Sequence, residues 1–330
     1  MKIGKVDGEV LKSRVFGKTG AIRPEVAVGP GIGEDCAVIN FGGTDCVLSS
    51  DPITASADRI GRHAVHVACN DIAAAGAEPV AVMLTVLLPE GSSEEELAEI
   101  AGQADEAAKE IGVMIAGGHT EVSSIVTRPL ISATAIGRAD ADAEKKRSAP
   151  KPGDVLVVTR DLGLEGTAII AEAAEDRLLR VMTQAEIDSA KAFLDHISVV
   201  AEGRVAAQAG FSDMHDITEG GVLGAVHEVC ELAGTGAEVS MTALPFDELT
   251  LTACAELGLD PMRLISSGSM LIVLPFENEA RLTAGLEAIG VKATAIGRIT
   301  EKEKGVRLID RTGKSEEISP PDPDEIYKVV

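Results

Sequence analysis

The sequence predicts a layered chain of alternating strands and helices, α/β or α+β, divided into two domains. Three observations lead to this reading. Apolar runs of strand length (Cys36 to Asn40, Cys46 to Ser50, Val80 to Leu88, Val113 to Ala116, Pro129 to Ile136) alternate with stretches of helical period. A charged segment, DADAEKKRSAPKPGD from Asp140 to Asp154, then carries two prolines and no apolar period, the composition of a linker. Beyond it the alternation resumes. The expected domains are residues 1–142 and 155–330, joined by a linker over 143–154.

Residues 1–24 have mixed charge and predict a short helix and a loop. Val26 to Phe41, VAVGPGIGEDCAVINF, sets Gly29, Gly31 and Gly33 in a loop ahead of Asp35 and the first strand; taken alone this is also the pattern of a surface turn. The second strand, Cys46 to Ser50, delivers Asp51. A helix follows from Asp58, a good N-cap, to Gly76, a good left-handed C′ residue, with Pro79 beyond it. Ala64, Ala68, Ile72 and Ala75 share one small apolar face, and a step of seven from Ala64 puts Asp71 there too. An acid on such a stripe demands a partner: a cation, a backbone donor or a basic side chain. After the strand Val80 to Leu88, Ser93 and Glu96 have the spacing of a capping box and start a helix over 94–111. The strand Val113 to Ala116 ends in GGHTEV, Gly117 to Val122, ahead of Pro129 to Ile136.

In the second half, the strand Val155 to Thr159 leads through a glycine turn to a helix over 165–175, and further helix occupies 184–209. FSDMHDITEGGVLGAVHEVC places a loop with Thr218, Gly220 and Gly221 at the mouth of a helix reaching Cys230. Its first-turn amides would hold an anion, or Thr218 would cap an ordinary helix start. A helix over 246–257, a strand over 269–274, a helix over 278–289 and strands near 293–299 and 306–309 complete the chain.

Composition narrows the function classes. The 53 acidic and 30 basic residues among 330 give a net charge of -23, a field that repels phosphate polymers and makes nucleic acid an unexpected partner. A phosphate ligand must arrive with metal ions or meet local backbone donors. The six Phe, one Tyr and absent Trp supply no base-stacking platform. Five cysteines without a C-x-x-C pair indicate neither a disulfide framework nor a zinc site. There is no membrane-length apolar run and no signal-peptide h-region, so no membrane association and a cytoplasmic location are expected.

The acids carry the chemistry. Asp35, Asp51, Asp71 and Glu121 each follow or interrupt a short apolar element, beside backbone able to approach a ligand. Brought together, they suit Mg²⁺, which joins a few carboxylates to nucleotide phosphates. Taken singly, each reads first as a solvated turn acid or a helix cap.

GEDCAVI (33–39), SSDP (49–52), VACNDIAAAGAEP (67–79), GGHTEV (117–122), PGDVLVVT (152–159) and HDITEGGVLGAVHE (215–228) stand in the order expected of the aminoimidazole ribonucleotide synthetase superfamily, and the chain resembles it over nearly its whole length. Within that superfamily LTACAELGLDP (251–261) is most similar to HypE, the hydrogenase-maturation carbamoyl dehydratase. The resemblance implies an α+β, two-domain PurM-like fold, an N-terminal domain that pairs through its sheet in a homodimer, and ATP and Mg²⁺ near the domain and subunit interfaces. It maps metal acids onto Asp35, Asp51 and Asp71, and nucleotide contacts onto Gly33, Asn70, Gly117, Gly118 and Thr120, with Gly163 and Glu165 from the second domain. Relatives commonly have an acid where this chain has His119, which leaves that role to Glu121 or lets His119 touch phosphate or substrate. His119 and His215 are the candidates for hydrogen bonding or proton transfer.

HypE-type enzymes carry a carbamoyl group on a C-terminal cysteine, whereas this sequence has none after Cys254 and has Glu219 where an arginine is usual. The leading expectation is an ATP-dependent enzyme that activates or phosphorylates a small-molecule or protein-bound acceptor. The alternatives are a non-catalytic nucleotide-binding or assembly protein that partners a metalloenzyme maturation factor, and a phosphotransferase resembling thiamine-monophosphate kinase.

Overall fold

A computed structural model describes residues 8–32, 34–53, 59–140, 149–320 and 323–330. Its strands form two sheets. The first contains β1 (Val26–Val28), β2 (Ala37–Asn40), β3 (Thr44–Ile53), β4 (Glu78–Leu88), β5 (Met114–Val122) and β6 (Leu130–Asp140), in the order β1-β2-β3-β6-β4-β5. Among the described residues of this sheet, only β4 and β5 run parallel. The second contains β7 (Val155–Thr159), β8 (Asp213–Asp216), β9 (Gly236–Ser240), β10 (Met270–Leu274), β11 (Ala293–Thr300), β12 (Val306–Ile309) and β13 (Ser315–Glu317), in the order β13-β12-β9-β11-β7-β10-β8. The helices are α1 (Gly8–Arg14), α2 (Ile60–Ala74), α3 (Glu94–Ile111), α4 (Leu164–Ala173), α5 (Glu175–Leu178), α6 (Gln184–Lys191), α7 (Val200–Ala209), α8 (Gly221–Ala233), α9 (Glu248–Leu257) and α10 (Glu279–Ala288). Two sheets with packed helices make the fold α+β.

Helix α2 joins the halves. All its residues except Arg62 and Val67 are buried, as befits a helix covered on every side. It packs on β3, β4 and β6 of the first sheet and on β8 and α7 of the second half, so one apolar core runs from Val47, Val82 and Ala133 through Ala68 and Ile72 to Val157, Ile272 and Leu282. Gly76 ends the helix in the left-handed region (φ 71°), and Ala77 N donates to Ile72 O at 3.0 Å while Gly76 N donates to Ala73 O at 2.9 Å. This is the double bond of a Schellman end. At the start, Asp58 lies outside the described residues, and Arg59 occupies the cap position without a side-chain cap.

Long-range pairing changes several expected boundaries. GGHTEV continues β5 as an edge strand, because residues 117–122 pair in parallel with Met83–Leu88. Gly118 is required there: at φ 150° a Cβ would lie 1.9 Å from Leu84 O. The segment 184–209 breaks into α6, a 3-10 turn (Ala192–His196) and α7. The break exists because Ile197 O and Val199 N leave the helical ladder to bond the side-chain amide of Asn70, each at 2.8 Å. β8 forms within the expected FSDMHDITEGG loop, paired with β10. Gly220, not Thr218, occupies the cap of α8, and its N–H donates to Asp324 Oδ2 at 2.7 Å. Residues 141–148 of the expected linker lie outside the described residues, and Asp154 at its end is buried and accepts from Ser212 Oγ at 2.7 Å.

Candidate active site

Four elements bring acids to one place at the junction of the halves. Ser49 and Asp51 stand two apart on β3 and so point to the face covered by α2. Helix α2 supplies Asp71, the segment before β2 supplies Asp35, and buried β8 supplies His215 and Asp216. Ser49 Oγ lies within hydrogen-bond reach of both Asp51 Oδ2, at 3.0 Å, and Asp71 Oδ2. A hydroxyl has one proton to donate, so one of the two carboxyls must carry its own. Asp71 is that group: burial, followed by the charges of Asp216, Asp51 and Asp35, raises its pKa well above the ordinary range.

The second half mirrors this crowding. One ligand atom each from Asp35, His215 and Asp216 lie within 4.8 Å of one another. His215 Nδ1 donates to Asp216 O at 2.7 Å, and its Nε2 faces Glu228 Oε2 at 3.1 Å and Asp35 Oδ1 at 3.7 Å. Burial opposes a charge on His215, but Asp35, Glu228 and Asp216 outweigh it and raise its pKa to about 10. Burial and then Asp35 raise Asp216 to about 7, and Asp216 Oδ2 has no hydrogen-bond partner. A buried, orphaned carboxylate oxygen beside further carboxylates fits a hard divalent cation. Cation binding would release the protons that this crowding retains.

The remaining expected residues are placed as follows. Asn70 is fully buried, with both ends of its amide bonded to residues 197 and 199. The carboxylate of Glu165, also buried, meets His63 Nε2 at 2.6 Å and accepts from Ser267 N at 3.3 Å. Gly163 starts α4 and donates its N–H to Ser266 Oγ at 2.7 Å. Gly33 lies outside the described residues. Register links Asp51 to Ala133, Leu84 and Gly118 in one row across the first sheet. Thr120 therefore shares the α2-covered face with Gly118. His119 and Glu121 project from the opposite face, with 3.3 Å between Nε2 and Oε2, and do not join the other acids within the chain.

Three contributors escaped the sequence reading: Asp216, beside the expected His215, supplies a further buried carboxylate. Ser49 bridges two acids, and Glu228 faces His215 from α8. All three occur inside the motif segments, and Glu228 lies on the helix that follows HDITEGG.

Residues 33–139 match the family described as AIR synthase related protein, N-terminal domain, and residues 151–310 match its C-terminal domain. The chain belongs to the AIR synthase-related family. This AIR synthase-related chain is 28% identical, over 94% of its own length and 92% of the relative's, to a hydrogenase expression/formation protein of Methanocaldococcus jannaschii. It is 30% identical to the carbamoyl dehydratase HypE of Azotobacter vinelandii, over 74% of this chain and 70% of that one. A solved structure of hydrogenase maturation protein HypE in complex with ATP superimposes with a TM-score of 0.73 at 23% identity, covering 99% of this chain and 98% of the other. Among the described residues, no helix is long and apolar enough to cross a membrane.

Proposed function

We propose that this HypE-like chain is an ATP- and Mg²⁺-dependent enzyme that activates or phosphorylates a separate acceptor, a small molecule or a protein-bound group. The convergence of Asp35, Asp51 and Asp71 with Asp216 carries the reading. These carboxylates would hold Mg²⁺, which supplies neutralisation of phosphate charge. Gly118 and Thr120, on the same sheet face as Asp51, offer close backbone approach and a hydroxyl to phosphate. Catalysis of phosphoryl transfer rests mainly on such positioning and charge compensation.

The four buried thiols of this chain favour a separate acceptor. Cys36, the thiol nearest the acids, is buried, and burial followed by Asp71, Asp35 and Asp216 pushes its pKa up. Burial likewise raises Cys69 and Cys254 to about 12 and Cys230 to about 11, so these thiols stay neutral, whereas a thiolate is the nucleophile.

Melting with and without ATP and Mg²⁺, followed by detection of ADP and AMP, tests this reading. A ligand at about 100 times its Kd contributes about 2.7 kcal/mol, so a Mg²⁺-dependent rise of about 5 °C or more is expected. Asp51→Asn should reduce it. ADP or AMP release in the presence of the right acceptor identifies the enzyme. A shift without breakdown across acceptor classes would favour a nucleotide-binding assembly protein, and no shift at saturating ATP would sink the site itself.

The same reading includes a homodimer. The uncovered face of the first sheet carries an apolar row, Ala37, Leu48, Ile136, Ala81 and Met114, crossing five strands, with exposed Met83 beside it. Contiguous apolar surface of this kind marks an association face. Met83→Arg leaves the buried core untouched and should shift sedimentation from dimer to monomer; an unchanged dimer would place the interface elsewhere.

A further inference from the structure

A cavity of about 300 Å³ opens between the halves beside Arg62 and His66 of α2 and shares no lining residue with the acid cluster. Arg160 follows β7, and Arg204 lies on α7; both reach its wall. Each acid that lines it has a basic partner, although neither oxygen of buried Glu202 makes a hydrogen bond. Glu110 pairs with Arg62 at 2.7 Å, Glu202 with Arg160 at 2.6 Å, and Asp195 with Arg59. Arg204 is exposed and has no partner among the described residues, so one positive charge is left over.

Uncommitted donors accompany that charge. His66 is 1% exposed, and neither of its ring nitrogens has a hydrogen-bond partner; the nearest acid oxygen, Glu110 Oε2, is 3.6 Å from Nε2. Arg62 Nε is likewise unpartnered. The first turn of α7, Val200 to Glu202, forms part of the wall, and the amides of a helix start favour anions. Burial and then Arg62 lower the pKa of His66 to about 4, so at neutral pH its ring offers one N–H donor and one bare nitrogen. An unpartnered, buried imidazole is costly unless a ligand or water completes it.

We propose that this cavity binds a compact tetrahedral oxyanion, the phosphate group of a small metabolite, between Arg204, Arg62 and His66. Donors from two helices line it, and the neutral imidazole can donate its one N–H to a phosphate oxygen or accept from a P–OH. The site is independent of the acid cluster and of the nucleotide reading.

Inorganic phosphate, titrated into the protein without ATP or Mg²⁺, is the probe, and the side-chain NMR signals of the histidines are the readout. His66→Gln assigns the His66 signal. The expected result is a saturable shift of His66, an affinity at least about tenfold weaker in Arg204→Gln, and no comparable shift with acetate at matched ionic strength. Because Arg204 is exposed and unpaired, its variant should melt with the parent. An unmoved His66 at millimolar phosphate would overturn the proposal, as would equal affinity in Arg204→Gln. Movement of His215 alone would assign the anion to the acid cluster instead, and an equal response to acetate would overturn the ligand class.

Discussion

Asp71→Asn is expected to remove nucleotide turnover and, in the same protein, to raise the melting temperature of the metal-free form at pH 8. Asparagine reproduces the protonated carboxyl: its amide donates to Ser49 Oγ, which remains free to donate to Asp51. The substitution keeps the position neutral at pH 8, where Asp71 must either hold its proton or add a charge to a set that already includes Asp216, Asp51 and Asp35. Outer-sphere groups at metal sites are typically worth 10- to 100-fold, so loss of a ligand should cost at least about 100-fold in turnover. The thermal gain should be a few degrees, at roughly 2–4 °C per kcal/mol.

The pH dependence has a definite sign. Asp216 titrates near pH 7 when folded, above its ordinary 3.8, so the fold holds that proton more tightly than the unfolded chain does. Its contribution is complete below about pH 4 and is lost as pH rises through about 7. Metal-free protein should therefore melt higher at pH 5 than at pH 8, with Mg²⁺ restoring stability at pH 8. A turnover-deficient Asp71→Asn that melts below the parent at pH 8 would show that the carboxylate supports the fold.

His63→Ala should be the most destabilising of the substitutions considered. His63 on α2 and Glu165 on α4 meet at 2.6 Å, both buried, across the two halves. Burial alone would raise the pKa of Glu165, but the charge and hydrogen bond of His63, with the Ser267 amide, lower it instead. Removing the imidazole leaves a buried carboxylate with little compensation, which costs about 3–5 kcal/mol. The melting temperature should fall by about 10 °C. Adding Glu165→Gln should recover part of that loss, since no charge is then stranded. A cost for His63→Ala under about 1 kcal/mol in urea unfolding would mean that solvent reaches the pair.

Local chemistry was legible at the end of α2 and the start of α3, though not at the start of α8, where Gly220 takes the cap expected of Thr218. Gly76 and Pro79 stopped α2 as expected, and Ser93 accepts from Glu96 N at 3.1 Å at the start of α3. Asp71 could be read as an acid needing a partner because helical spacing placed it on an apolar face. What the sequence hid depends on distant pairing. DMHD has no alternating apolar pattern, yet β8 forms because β10 supplies its ladder. The break before α7 depends on an asparagine more than a hundred residues earlier. His119 and Glu121 lie close to Thr120 in sequence, but strand alternation turns them away from the acids. That reversal requires a register, and register belongs to the sheet.

The burial of α2 on all sides also bears on how such chains can be recombined. Sequence comparison splits the protein near residue 140, and a chimera joined there looks straightforward. Yet Asn70 is fitted to the backbone at 197–199, His63 to Glu165, and Ala73 to Gly203, where even a methyl group would come within 2.7 Å of Ala73 O. The inheritable unit for the second half therefore includes a helix encoded in the first. A graft that exchanges residues 151–330 without α2 would inherit a lock cut for another key.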